Sequence, residues 1–331
     1  MEEKCESRKL VDGYIGTYYS EESKGVYHFM FDEESGNMTE PELFYEASGA
    51  KWVSLYENRL TFPVVRGDKA GTCFLMLEEG KIESSSEILE ETHTPCYIQQ
   101  DGDFVYTANY HDGTVMIYRM VDGAPTIIKR IENGVEAGCH QILLHGTYLL
   151  VPCLVQHRIR IFDMAHDFQP AGEITFSDGT GPRHGIFNKA HSKLYVVSEW
   201  SNELFIYQVK GCSFKLLQSC SLLQEMRKKT AAAAVRLSED ERFLYVSLRG
   251  AELLAVIDVS NDVPSIIQYA PCGGEHPRDF VLSRGSRYVL TANRMRGGIV
   301  CMERDSASGL LKEIKARINM PQGVSIALAC E

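Results

Sequence analysis

One pattern recurs along this chain and limits its fold more than any other feature: a β-branched and aromatic strand, a small polar break, then a second apolar strand. The clearest copies begin at Phe104, Leu149, Leu194, Phe243 and Tyr288, as in Phe104-VYTANYHDGTVMIYRM and Leu194-YVVSEWSNELFIYQV. The last residues before each break, Asn109, Cys153, Glu199, Leu248 and Asn293, are separated by 44, 46, 49 and 45 residues. That interval fits the 331 residues about seven times, and stepping backwards lands on similar segments at Leu60 and Tyr14. Each copy follows a further short strand that often opens with proline, such as Pro95-CYIQ, Pro182-RHGIF and Pro277-RDFVL, or less distinctly Cys139-HQILL, Ala233-AVRL and Lys51-WVSL. A four-stranded unit of this length cannot bury both faces alone and must stack on its neighbours. The period therefore predicts an all-β, seven-bladed propeller, with no linker or composition shift dividing residues 1–331 into more than one domain.

The two ends of the chain support the same reading. The first copy lacks its leading strand, and Pro321-QGVSIAL resembles a leading strand with no copy after it. Together they complete one blade, so that the carboxy-terminal strand closes the ring and leaves no open edge. Leu222-LQEMRKKTAAAA is helical by propensity. Because the repeat resumes in phase at Ala233, it is read as a loop excursion containing one helical turn.

The net charge of −11 and the lack of a basic block argue against nucleic acid or an anionic membrane as partner. No apolar run approaches the 18 or so residues of a transmembrane helix. The charged stretch Met1–Lys9 leads into no signal-peptide apolar region. Ten scattered cysteines, without a C-x-x-C pair, read as reduced thiols, so a cytoplasmic location is expected. No spacing of histidine, cysteine or carboxylate suggests a metal, and no cofactor is expected.

In a propeller, the strand nearest the axis and the loop leaving it aim polar groups at the central channel, where sites form by convergence. The titratable residues at those positions are His140, Arg183 with His184, Glu199, Arg249, Arg278 and Arg294. Buried charge is costly unless paired or used. Several arginines with one glutamate and one or two histidines suit a small anionic ligand. The alternatives are an Arg183–Glu199 ion pair stitching blades, a satisfied core histidine at 140, a turn-shaping His184, a solvated Arg278 and a surface Arg294. Gly179-TGPRHG is turn chemistry rather than a dinucleotide loop, because no helix pattern follows it. Ser48-GAK lacks the companion motifs of serine hydrolases, and Arg66-Gly67-Asp68 is an interior turn.

Asp178-GTGPRHGIFNKAHSKLYVVSEWSNELFIYQV resembles the Gly-Pro-Arg-His and Val-Val-Asn/Ser-Glu-Leu stretch of the lactonase-type seven-bladed propellers, the family of bacterial 6-phosphogluconolactonases and fungal carboxymuconate-cyclising enzymes. Gly16-TYYSEESKGVYHF, Thr107-ANYHDGTV, His140-QILL, Phe243-LYVSLRG, Pro277-RDF, Thr291-AN and Ser308-GLL extend the resemblance over nearly the whole chain. It implies a metal-independent lactone hydrolase, with the family's active-site histidine at His140, its Gly-Pro-Arg-His arginine at Arg183, its glutamate at Glu199 and its Asn-Arg-Gly arginine at Arg249. His184 and Arg278 are added as substrate-binding candidates. The sequence departs from the family at Gly138, where a histidine is usual, and at Cys153 and Leu248.

The expected substrate is a small anionic lactone, 6-phospho-D-glucono-1,5-lactone, with Arg183 and Arg249 holding it and its oxyanion and Glu199 or His140 as general base. A lactone-forming cycloisomerase and a non-catalytic scaffold are the alternatives. Convergence of His140, Arg183, Glu199 and Arg249 in one channel favours an enzyme, and their dispersal around the rim favours a scaffold.

Overall fold

A computed structural model of the chain describes residues 10–223 and 229–329. They form seven four-stranded antiparallel sheets. Blade 2 runs from its innermost strand Ser54–Tyr56 to its outermost Lys81–Glu91, blade 3 from Tyr97–Asp101 to Ala124–Glu132, and blade 4 from Leu143–His145 to Gln169–Thr175. Blade 5 spans Pro182–Phe187 to Ser213–Ser221, blade 6 Ala231–Leu237 to Ser265–Pro271, and blade 7 Glu275–Leu282 to Leu311–Ile318. Blade 1 consists of Leu10–Thr17, Gly25–Asp32 and Glu42–Glu46, and takes its innermost strand, Gly323–Leu328, from the other end of the chain. Gly13 pairs with Leu328 and Ile15 with Ile326, so the ring closes as the ends of the sequence imply.

The apolar residues of the repeat are spent between blades. Phe74 of blade 2 packs with Ile98, Met116 and Tyr118 of blade 3. Val115 and Ile117 of blade 3 pack with Leu149 and Val151 of blade 4, and Leu204 and Ile206 of blade 5 with Leu244 and Val246 of blade 6. Further clusters fill the other four interfaces, so each blade is held by its two neighbours. The outermost strands are largely exposed and polar. Every blade also carries a register shift between its third and fourth strands, as at Val26/Tyr27, Ile117/Tyr118 and Ile206/Tyr207. Such a bulge increases strand twist and turns the outer edge away from the sheet plane.

Residues 224–228 of the segment with helical propensity lie outside the described residues. The alanines that followed it belong to the innermost strand of blade 6, which starts at Ala231, with Ala232, Ala233 and Ala234 fully buried. Their helical propensity is overruled by packing, since small side chains let this strand approach its neighbours closely near the axis.

Candidate active site

Strand pairing builds the site. The start of an innermost strand lies beside the end of the second strand of its blade: Pro182 pairs with Ser198, Ala231 with Arg249, and Pro277 with Asn293. Residues at these positions therefore gather at one end of the central channel. A cavity of about 210 Å³ opens there, walled by His140, Glu199, Arg249 and Arg278 together with Tyr18, Lys51, Cys96, Tyr110 and His111.

Its fixed centre is a carboxylate between two guanidinium groups. Arg249 Nη2 reaches Glu199 Oε2 at 2.8 Å, and Arg183 Nε lies 3.0 Å from the same oxygen. Arg183 Nη1 also donates to the Ala233 carbonyl at 2.6 Å, and Arg249 Nε to the Ala231 carbonyl at 3.3 Å. The group thus ties blade 5 to blade 6. Burial works to raise the Glu199 carboxyl, but Arg183 and Arg249 outweigh it and hold it below its ordinary range. Burial, with Arg249 adding repulsion, brings Arg183 down to about 9, which leaves it charged at neutral pH.

The histidines beside this group are uncharged. Burial, reinforced by Arg183 and Arg278, holds His140 well below the usual imidazole range. His184 is held down by burial, then by Arg183 and His140. The two rings lie 5.1 Å apart, and His184 also packs edge-on against Tyr97 and Trp52. Arg183 Nη1 lies 3.4 Å from His184 Nε2, and an arginine can only donate, so the His184 proton sits on Nδ1. Among the described residues, neither His140 Nδ1 nor His184 Nδ1 has a hydrogen-bond partner.

These shifts have a consequence for stability. Unfolded histidines titrate near pH 6.5. Below that pH the unfolded chain binds protons that folded His140 and His184 refuse, as does His276, lowered to about 4 by burial and by Arg249 and Arg278. Their contribution is present above about pH 6.5 and is lost as pH falls. Burial raises Glu91 to about 7 and also raises Asp279, and these two groups have the opposite sign. A variant isolates the histidine share: the drop in Tm from pH 7 to pH 5 is expected to be smaller in His184→Gln than in the native protein. An unchanged drop contradicts a buried neutral imidazole.

The structure thus brings His140, Glu199, Arg249 and Arg278 into one cavity wall. Two of the expected ligand contacts are not in the lining of that cavity. Arg183, 1% exposed, lies beneath the wall, with its guanidinium engaged by Glu199 and the Ala233 carbonyl. His184 is fully buried against the His140 ring. Arg294 is half-buried rather than a free surface residue, because its guanidinium covers the Tyr18 ring at 4.4 Å and its Nε donates to Gln322. Sequence reasoning missed Lys51, Tyr18, Tyr110 and His111, although each lies in a segment singled out for its strand pattern or its resemblance. The signal was the blade position: Lys51 stands three residues before a leading strand and Tyr18 just past the end of a second strand, near where the other site residues stand.

The departures from the family pattern are built in sterically. Gly138 has φ +75°, and a Cβ there would lie 2.8 Å from both the backbone nitrogen and Cγ2 of Val155. A histidine cannot be accommodated without moving the following loop. Cys153 and Leu248 are fully buried in the clusters between blades 3 and 4 and between blades 5 and 6. Among the described residues, no group of three or more histidine, cysteine, aspartate or glutamate side chains is placed to hold a metal ion. No described helix is long and apolar enough to cross a membrane.

Comparison with known proteins gives the same architecture. A family model described as "Lactonase, 7-bladed beta-propeller" matches residues 12–328. A curated 6-phosphogluconolactonase from Bacillus subtilis is 25% identical, with 95% of this chain and 97% of that protein covered. A crystal structure of a protein from Lactobacillus plantarum superposes with a TM-score of 0.89 at 24% identity, covering 97% of this chain and 99% of that one. The periplasmic gluconolactonase of Pseudomonas aeruginosa superposes with a TM-score of 0.87 at 21% identity, covering 97% and 99%. At these identities the two structures speak for the fold alone.

Proposed function

The chain belongs to the family of seven-bladed β-propeller lactonases, and from that premise we propose that it hydrolyses 6-phospho-D-glucono-1,5-lactone to 6-phosphogluconate, the lactone step of the oxidative pentose phosphate route. The observation that carries this reading is a neutral histidine and an arginine-clamped carboxylate sharing one cationic cavity. Three cations, Lys51, Arg249 and Arg278, face a single carboxylate there, although the chain as a whole has a net charge of −11. That local excess attracts an anionic substrate against the overall field.

In the proposed reaction, water adds to the lactone carbonyl and gives up a proton to His140. Protonating Glu199 would disrupt the contacts of Oε2 with two guanidinium groups, whereas protonating His140 breaks no hydrogen bond. Arg249 faces the developing oxyanion with its charge already oriented by Glu199. Collapse of the tetrahedral adduct breaks the bond from C1 to the ring oxygen. His140 returns its proton to that oxygen, which leaves as the C5 hydroxyl, and the acid product ionises. We place the protein in the cytoplasm, where thiols stay reduced, supported by the eight free cysteines among the described residues.

The test is proton release from freshly generated 6-phosphogluconolactone, with EDTA present and the spontaneous rate subtracted. Rapid, EDTA-resistant hydrolysis is expected. A rate equal to the spontaneous one contradicts the proposal and turns attention to cycloisomerisation or a scaffold role.

A further inference from the structure

Two of the cations in the cavity wall make no ion pair with any described residue. Arg249 is committed to Glu199, but the side chains of Lys51 and Arg278 have no hydrogen bond or ion pair with any of the described residues. Arg278 is held instead over the Tyr18 ring, 5.6 Å from its centroid, while Arg294 covers the same ring at 4.4 Å. Tyr18 thus fixes a guanidinium in place without neutralising it. Lys51 is half-buried, and burial, with Arg278 adding to it, holds its ammonium below the usual lysine range. A cation at such a place without a directly paired anion costs stability that a bound anion restores.

The order of the blades gives the cavity a direction. His140, Glu199 and Arg249 come from blades 4, 5 and 6. Arg278, Tyr18 and Lys51 come from blades 7, 1 and 2, the facing arc of the closed ring. One arc therefore carries the neutral base and the clamped carboxylate, and the other carries free positive charge.

We propose that Lys51, with Arg278, forms a subsite for the phosphate dianion of the substrate, and that Lys51 is a residue that sets selectivity for phosphorylated over unphosphorylated lactones. The proposal rests on the lactonase reading above. Arg278 supplies a planar fork for two phosphate oxygens, and Lys51 a compact charge for the third. Neither touches the reacting carbonyl, so their contribution falls on binding of the phosphorylated substrate.

The experiment compares native protein, Lys51→Gln and Lys51→Arg on 6-phosphogluconolactone and on glucono-1,5-lactone. In Lys51→Gln, the ratio of kcat/KM for the phosphorylated to the unphosphorylated lactone is expected to fall about tenfold or more, carried by KM, with Lys51→Arg recovering most of it. An unchanged ratio, whether both activities fall together or neither falls, overturns the subsite and leaves the lactonase reading standing. If the native protein hydrolyses neither lactone, the lactonase reading fails, and calorimetric binding of 6-phosphogluconate decides the subsite. Binding about tenfold weaker in Lys51→Gln supports it, and equal binding, or none to the native protein, overturns it.

Discussion

Glu199→Gln is expected to lower kcat/KM for lactone hydrolysis by about 10²–10³-fold and to lower Tm by about 3–6 °C. Both effects follow from one change. Among the described residues the carboxylate is the one ion-pair partner of Arg183, whose guanidinium is almost wholly buried, and it also aims Arg249 into the cavity. Breaking a fully buried pair costs about 3–5 kcal/mol. Because the Glu199 side chain keeps 21% exposure, the figure here is discounted to about 2–4 kcal/mol. A second variant separates structure from chemistry. Adding Arg183→Met to Glu199→Gln removes the stranded charge, so Tm is expected to recover while activity does not. Recovery of activity along with Tm contradicts a role for Glu199 beyond stitching blades 5 and 6.

His140→Ala is expected to reduce kcat by about 10²–10⁴-fold with little change in KM, since the ring serves proton transfer rather than binding. The pH profile gives an independent reading. His140 is held neutral by burial and by the positive charge of Arg183 and Arg278. The native kcat/KM should therefore stay level through neutral pH and decline only in acid, well below the ordinary imidazole value. In the variant, the residual rate should lose that acid limb. An acid limb that persists in His140→Ala and disappears in Glu199→Gln assigns the base to Glu199 instead.

The architecture was legible because it is written redundantly. The strand, break, strand pattern returns often enough to count blades, and Pro321-QGVSIAL has no copy after it to lead, which gives away the closure. The register shift between the third and fourth strands of each blade was not legible, since the β-branched and aromatic pairs at four of the shifts, Val26/Tyr27, Ile117/Tyr118, Ile161/Phe162 and Ile206/Tyr207, read as ordinary strand. At the site, blade position pointed to His140, Glu199, Arg249 and Arg278, and the resemblance gave the first three roles. What position could not say is depth. Arg183 and Glu199 are both at the channel end of blade 5, yet one lies beneath the wall and the other in it. The buried arginine is held there by the Ala233 carbonyl of the next blade, which accepts from its Nη1. Lys51 was passed over because its leading strand is short, Ser54–Tyr56, and its neighbour Trp52 reads as core; the Trp52 indole in fact donates to the Ile98 carbonyl of blade 3.

The most direct test of the whole account is the structure of the protein with 6-phosphogluconate bound. The product is expected in the cavity at the channel end, with its carboxylate beside Arg249, Glu199 and His140 and its phosphate between Lys51 and Arg278. Product bound in the reverse sense, or outside this cavity, would contradict it.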